Sequence, residues 1–344
     1  MRSLDYIERR LYEGINYRLR TLARGRFADA CRPTSIALLM TERCNARCIH
    51  CDIWKNRGPE ASPSFEEWKK LLDGLRSWLG PVHIVITGGE ALLKDYTIGL
   101  VGYASSIGLF VELLSHGFWK DQEMIERLAL ARPSRVTISF DGVGGIHSLI
   151  RGREGFFEKT ETTIQTLRRM RELHGSPETI RLKTVIMQQN LDEVCEIARF
   201  ARQQGLEVFY QPIEQNYNTA DAADWFIQSN TWPRSTQKAI SAVENLCRLK
   251  AEGAPIVNSF AQLKAMISYF QNPAALRIAT QSHNAHEKQS LCAALTTLQV
   301  QADGSVTVCS RMMPIGNIKT QSIREIWVAR PHWWEAGCCQ EKSM

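Results

Sequence analysis

Apolar residues recur along this chain with two periods that trade places repeatedly. Short runs rich in aliphatic and β-branched residues stand at Ser35–Met40, Val82–Thr87, Leu109–Leu114, Arg135–Phe140, Thr179–Met187 and Glu207–Tyr210. Runs of this length bounded by turn residues read as strands. Between them, apolar positions fall three and four apart at Phe65–Leu79, Tyr96–Ser106, Gln122–Leu130, Glu158–Leu173 and Leu191–Gln204. That is helical spacing. Strand–helix alternation of this kind predicts a parallel sheet with helical crossovers. In parallel α/β barrels the chemistry gathers at the C-terminal strand ends. Cys44, Gly88, His116, Asp141 and Asn190 all stand just after predicted strands, so they are expected to converge on one mouth.

The flanks carry other patterns. In residues 1–33, Leu4, Ile7, Leu11, Ile15, Leu19 and Leu22 form one stripe, with Arg9, Arg10, Arg18, Arg20 and Arg24 on other faces. A basic amphipathic helix suits a membrane surface. The reading adopted instead packs the stripe on its own domain and leaves the arginines in water. Cys31 is given no role. Residues 211–286 lose the alternation. Gln211–Arg234 mixes Trp225 and Trp232 with polar residues and predicts either a substrate-facing loop or one pinned by its tryptophans. Helices are expected at Ser235–Glu252 and Ser259–Gln271. Cys195 and Cys247 fall in helical patterns and read as buried structural thiols. From Leu298 to Val308 the pattern alternates around Asp303-Gly304, a hairpin signal that brings Cys292 and Cys309 near each other.

Composition narrows the class. The 344 residues are 44% hydrophobic and 23% charged, an ordinary globular balance. A net charge of +6 is too weak to argue for a nucleic-acid partner. No apolar run is long enough to span a bilayer. The charged N-terminus lacks the apolar core of a signal peptide, so a cytoplasmic protein is expected. Ten cysteines in that setting point to metal or redox chemistry rather than disulfides.

The chemistry is concentrated at Cys44, Cys48 and Cys51, spaced Cys-x3-Cys-x2-Cys directly after the first strand. Three thiolates on one loop hold three corners of an iron–sulfur cube. With no fourth cysteine nearby, one iron stays open. A zinc site completed by His50 is the alternative, although His50 adjoins Cys51 and the two make poor ligands for one ion. The second strand ends in Gly88-Gly89-Glu90, where glycine permits close backbone approach and positive φ. A plain strand-to-helix turn is the alternative there. Thr137–Gly142 and Ile150-Arg151-Gly152 mark the fourth strand and its sequel. Periodicity does not decide where Lys183 faces.

Together these motifs resemble the radical S-adenosylmethionine (radical SAM) enzymes, over most of the chain from Ser35 to Cys339. The resemblance implies an α/β fold: a partial (β/α)6 TIM-like barrel over 34–214 with a small C-terminal twitch-type cluster-binding domain over 287–344. An N-terminal amphipathic helix (1–33) and a helical and loop linker (215–286) complete the expected organisation. It implies a [4Fe–4S] cluster on Cys44, Cys48 and Cys51 that binds SAM at its open iron. His50 stands where relatives carry an aromatic residue before the last cysteine. Gly88, Gly89 and Glu90 would bind the methionine amino group, Ser139 another part of SAM, and Arg151 the SAM carboxylate. Ala91 in place of proline, and Ser115-His116-Gly117 in place of Thr-Asn-Gly, depart from the family.

The tail resembles the SPASM and twitch domains. Its four cysteines, Cys292, Cys309, Cys338 and Cys339, are too few for two clusters and suit one auxiliary [4Fe–4S] or [2Fe–2S] cluster. The adjacent pair Cys338-Cys339 ligates one cluster only with strain, so Cys292, Cys309 and one of that pair are expected. A zinc-closed hairpin is the alternative. The implied activity is reductive cleavage of SAM to a 5′-deoxyadenosyl radical that abstracts hydrogen from a substrate C–H bond. The leading substrate is a ribosomal peptide, oxidised or epimerised. The alternatives are dehydrogenation or rearrangement of a small metabolite such as an aminocyclitol and, from another class, a non-catalytic zinc or iron–sulfur scaffold. Cys195 or Cys247 as a hydrogen donor is a minor reading. Expected partners are SAM, the substrate, and an electron donor such as flavodoxin or ferredoxin, with no nucleic acid and no transmembrane segment.

Overall fold

The computed structural model of the protein describes residues 3–21, 30–215, 224–273, 296–309 and 313–330. In chain order the elements are α1 (Ser3–Thr21), β1 (Ser35–Leu39), α2 (Phe65–Leu79), β2 (His83–Thr87), α3 (Thr97–Ser106) and β3 (Phe110–Ser115). They continue as α4 (Gln122–Leu130), β4 (Arg135–Ser139), α5 (Gly145–Arg151), α6 (Phe156–His174), β5 (Thr179–Ile186), α7 (Val194–Gln204) and β6 (Glu207–Pro212). Then come α8 (Trp225–Gln228), α9 (Thr236–Ala251), α10 (Phe260–Gln271), β7 (Thr297–Val300), β8 (Ser305–Thr307), β9 (Gly316–Asn317) and α11 (Ile323–Val328). Every strand predicted before residue 211 and every helix predicted from Phe65 to Gln271 is present, with ends shifted by at most three residues. Among the described residues the paired strands form an open series with β6 and β9 as its edges. Among the described residues no helix is long and apolar enough to cross a membrane.

The chain divides into two compact units. The first holds the chain up to Glu42, Gly58–Glu112 and the C-terminal strands. The second holds Arg43–Arg57 and the chain from Leu113 through α10.

In the first unit β1 lies between two parallel neighbours. Ile36 and Leu38 register with Ile84 and Ile86 of β2 on one side, and with Leu298 and Val300 of β7 on the other. All six are fully buried and share one face of the sheet, while the alternate positions are less buried. α2 begins with a capping box, Ser64 and Glu67 each accepting from the other's backbone N–H, which stabilises the first turn by about 1 kcal/mol. It buries Trp68, Leu71, Leu72, Leu75 and Leu79, each contributing about 2 kcal/mol. The predicted hairpin forms: β7 and β8 pair antiparallel, with Gly304 at φ +87° in the turn.

α1 departs from expectation. Its apolar stripe faces outward, with Ile7, Leu11 and Ile15 53%, 63% and 59% exposed. Tyr12 and Asn16 face the protein instead. The Tyr12 hydroxyl donates to the Pro33 carbonyl (2.8 Å), and buried Asn16 accepts from the Arg32 N–H (2.9 Å). Backbone groups that need partners thus decide which face packs.

In the second unit β4, β5 and β6 run parallel, with Ser139 registered on Lys183 and Lys183 on Phe209. One face of this sheet carries Val136, Ile138, Ile180, Leu182, Val208 and Tyr210, all buried. The opposite face carries the half-buried Ser139, Lys183, Phe209 and Gln211. Side chains alternate along a strand, so Lys183 shares its face with Ser139, the point periodicity left open. The described part of the 211–234 segment is pinned by its tryptophans. The Trp232 ring meets Tyr269 and Phe270 at 5.5 Å, and Trp225 packs on Trp232 at 5.5 Å.

Candidate active site

Cys44, Cys48 and Cys51 lie in the second unit, on an irregular loop that α5 holds in place. The Arg47 and Ile49 N–H groups donate to the carbonyls of Arg151 and Ile150, each at 3.0 Å. The next residue, Gly152, is left-handed (φ +68°), and a Cβ there would stand 2.1 Å from the Arg47 carbonyl oxygen. Only glycine permits this approach. Cys48 is buried with Ala46 and Phe156, and Cys44, Cys51 and Phe118 pack against that cluster. Burial pushes the Cys48 and Cys51 thiols up, with Arg151 opposing it at both. Among the described residues no three His, Cys, Asp or Glu side chains converge on one ion position. Thiolates that share a cubane sit on different irons, and three thiols on one loop suit such a cluster.

Arg151 projects from the last turn of α5 toward this loop. Its Nη1 donates to the Cys48 sulfur (3.6 Å), and its Nη2 pairs with Asp141 Oδ2 (2.5 Å). Its Nε is buried and unpartnered. Asp141 has no exposed surface and sits just beyond β4. Burial would raise its carboxyl, but the Arg151 guanidinium holds it below the usual carboxylate range. Asp141 Oδ1 also accepts from the Val185 N–H (2.9 Å), and the Asn190 amide donates to the Asp141 carbonyl (2.9 Å). The Asp141 N–H donates to His147 Nδ1 (3.1 Å). The His147 ring stacks on Phe140 and stands edge-on to Phe156. Burial, with Arg151 adding to it, pushes His147 down to about 3, so it stays neutral.

Two further histidines belong to this region, His116 facing the loop and His50 within it. Phe118 N–H donates to His116 Nδ1 (2.9 Å). That leaves the proton on Nε2, which donates to Asn45 Oδ1 (2.5 Å). Burial pushes His116 down to about 3. Asn45 follows Cys44, so His116 fixes the loop from the third strand end, where relatives carry asparagine. Burial pushes His50 to about 4, with Asp141, Arg151 and Lys183 all near enough to act on it. Its Nδ1 is buried without a partner.

The first unit places Gly88-Gly89-Glu90 beyond β2. The Gly89 N–H donates to the Thr41 carbonyl (2.7 Å). Gly88 is at φ +143°, and a Cβ there would stand 2.5 Å from the same oxygen. Glu90 is 2% exposed and accepts from the Leu92 N–H (3.2 Å), capping the 3-10 turn Ala91–Leu93. Buried Ala91 starts that turn without the family's proline.

Of the tail cysteines, Cys309 is half-buried just beyond β8; Cys292, Cys338 and Cys339 lie outside the described residues. Cys195 and Cys247 are half-buried rather than buried. Cys195 lines an open groove of about 470 Å³ between α7 and α9. Half of their helix faces turn outward, which periodicity does not reveal. Sequence reasoning placed Asp141 at a strand end facing the mouth but gave it no chemical role, and it did not single out His147 or Asn45. Their partners are remote in the chain or belong to α5, which carries no helical period of its own.

The donor set fits a cluster with an anionic ligand: three thiols on one loop, apolar walls, and a buried cation with one unpartnered N–H. Residues 38–209 match the family model for the radical SAM superfamily. The chain belongs to the radical SAM superfamily. Residues 292–333 of this radical SAM enzyme match SPASM, an iron–sulfur cluster-binding domain. The two domains together imply a [4Fe–4S] cluster with SAM and an auxiliary iron–sulfur cluster. Membership makes the chain an enzyme rather than a passive metal scaffold.

The chain is 25% identical to the AdoMet-dependent heme synthase of Methanosarcina barkeri, over 86% of this chain and 82% of the relative. It is 30% identical to the sporulation killing factor maturation protein SkfB of Bacillus subtilis, over 53% of this chain but 42% of SkfB. In fold it is similar to Streptococcus suis SuiB bound to S-adenosylmethionine (TM-score 0.65, 12% identity, 90% of this chain and 69% of SuiB). SuiB has also been solved with its precursor peptide SuiA.

Proposed function

We propose that this radical SAM enzyme abstracts hydrogen from a C–H bond of a ribosomally made peptide and leaves it oxidised or epimerised. With SAM bound, the [4Fe–4S] cluster supplies the electron that breaks the S–C5′ bond and yields the 5′-deoxyadenosyl radical. In this reading Cys44, Cys48 and Cys51 are its ligands. Gly88, Gly89 and Glu90 take the methionine amino group, and Ser139, His50 and Arg151 line the remainder of the SAM site. The unpartnered Nε of Arg151 suits a carboxylate. His50, held neutral by burial, adds no charge there. The barrel spans 34–214, and the auxiliary cluster takes Cys292, Cys309 and one of Cys338 and Cys339 within 287–344. A flavodoxin or ferredoxin supplies the electron, in the cytoplasm.

The observation that carries the peptide reading is the identity to SkfB, a sporulation killing factor maturation protein by name. A second reading, a small-molecule substrate of the tetrapyrrole class, draws support from the heme synthase, whose likeness runs through most of both chains.

The test begins with anaerobic reconstitution of the wild type and a Cys44→Ala/Cys48→Ala/Cys51→Ala variant. Wild type is expected to hold iron for two clusters and release 5′-deoxyadenosine under reduction. The variant is expected to keep iron for one and release none. Peptides encoded beside the gene and an iron-loaded tetrapyrrole are then offered in parallel. A mass change confined to the tetrapyrrole removes the peptide reading, and zinc in place of iron removes both.

A further inference from the structure

The ion pair of Arg151 and Asp141 points its cation at one sulfur of the cysteine loop. The guanidinium reaches the Cys48 sulfur with Nη1 (3.6 Å) and Asp141 with Nη2 (2.5 Å). Arg151 and Asp141 side chains are 7% and 0% exposed, so the medium screens these charges weakly. Neither partner is free to swing. The backbone of Ile150 and Arg151 is tied to the cysteine loop by two hydrogen bonds. Asp141 is held by Val185, Asn190 and His147, which bond its side chain, its carbonyl and its N–H respectively. A buried ion pair contributes little net stability by itself. This one is held so that its positive end meets the sulfur.

We propose that Arg151 and Asp141 set the reduction potential of the cluster held through Cys48. Arg151 acts by N–H donation to the ligand sulfur, and Asp141 acts through Arg151 by fixing it and balancing its charge. The inference rests on the reading that Cys48 is a cluster ligand. Reduction adds an electron to the cluster and negative charge to its sulfurs. Hydrogen bonds to cluster sulfurs and local charge are established levers on such potentials. A donor cation at Cys48 therefore favours the reduced state, and a nearby carboxylate disfavours it. Asp141 and Arg151 are positioning residues here, and their effects on the potential have opposite signs.

The experiment uses the full-length, anaerobically reconstituted enzyme. It follows reduction of the cluster whose paramagnetic signal changes when SAM is added, titrated in the absence of SAM. Arg151→Met is expected to make reduction at least tenfold less favourable, about 59 mV for one electron. Asp141→Asn, which keeps an acceptor for the Val185 N–H, is expected to make it severalfold more favourable. Should Arg151→Met fail to hold iron, the comparison moves to Arg151→Met/Asp141→Asn against Asp141→Asn. That pair carries no unpaired carboxylate and is expected to show the same tenfold loss. Shifts of equal sign, or unmoved potentials with the cluster present, overturn the inference and leave the ligand reading standing. A wild type without any SAM-responsive cluster overturns the ligand reading itself.

Discussion

Two strand-end loops are pinned by the same device in the two units, and they differ in everything added to it. In the first unit Gly88 lets the turn approach the Thr41 carbonyl, where a Cβ would stand 2.5 Å away. In the second, Gly152 lets the end of α5 approach the Arg47 carbonyl, where a Cβ would stand 2.1 Å away. The first contact is a neutral backbone lock. The second is surrounded by a buried carboxylate, a buried guanidinium and three histidines held neutral by burial. The Gly88 loop adds one buried carboxylate, Glu90, which accepts from the Leu92 N–H. A loop that carries three thiols acquires charge control as well.

The largest expected effect tests that surplus. Asp141→Ala leaves Arg151 buried and unpaired, and breaking a buried pair this way costs about 3–5 kcal/mol, read by urea unfolding at neutral pH. A cost under about 1 kcal/mol would mean water reaches the pair and the two loops are alike.

Next come the two glycines. Gly152→Ala combines a left-handed backbone with a backbone clash and is expected to cost about 3 kcal/mol. Its cysteine loop should lose iron in the reconstituted protein. Gly88→Ala is expected to cost about 2 kcal/mol and to keep the iron while SAM binding weakens. Equal iron loss in both would erase the distinction.

The third prediction is in pH. His116 and His147 both have folded-state pKa values pushed down to about 3. Below the ordinary histidine value of about 6.5 the unfolded chain therefore binds protons that the native protein refuses. Stability is fully present above that value and falls as pH drops through it. The fall is about 1.4 kcal/mol per pH unit for each histidine. His147→Asn should shallow this fall by about one proton, measured from unfolding free energies at several pH values. A flat profile would show that these rings titrate in water.

The smallest effect belongs to the first unit. Ser64→Ala and Ser322→Ala each remove a capping box, on α2 and α11. Each is expected to cost about 1 kcal/mol with iron content unchanged.

The element pattern was legible because it is local. β-branched runs and helical spacing located the strands to within a residue or two, and Asp303-Gly304 located the hairpin. The cysteine spacing and the Gly-Gly-Glu turn were legible because each is a contiguous stretch. The Arg151 assignment was half legible. Its segment was singled out from the chain, while its partners Asp141 and Cys48 were not read, since they stand 10 and 103 residues away. His116 looked like a departure from the family, and its bond to Asn45 makes it a support for the cysteine loop.

Sequence by itself determined which segments are strands and helices, which loop carries the thiols, and which family's chemistry they serve. Those are properties of neighbouring residues, and backbone sterics and side-chain periodicity act at that range. Tertiary structure alone decided that β7 pairs parallel with β1, and that α1 turns its apolar stripe outward because Tyr12 and Asn16 satisfy the chain at residues 32 and 33. It also decided that Asp141, Arg151 and Cys48 form one line of charge. Such contacts depend on where buried polar groups find partners, and burial is set only once the whole chain has closed around them.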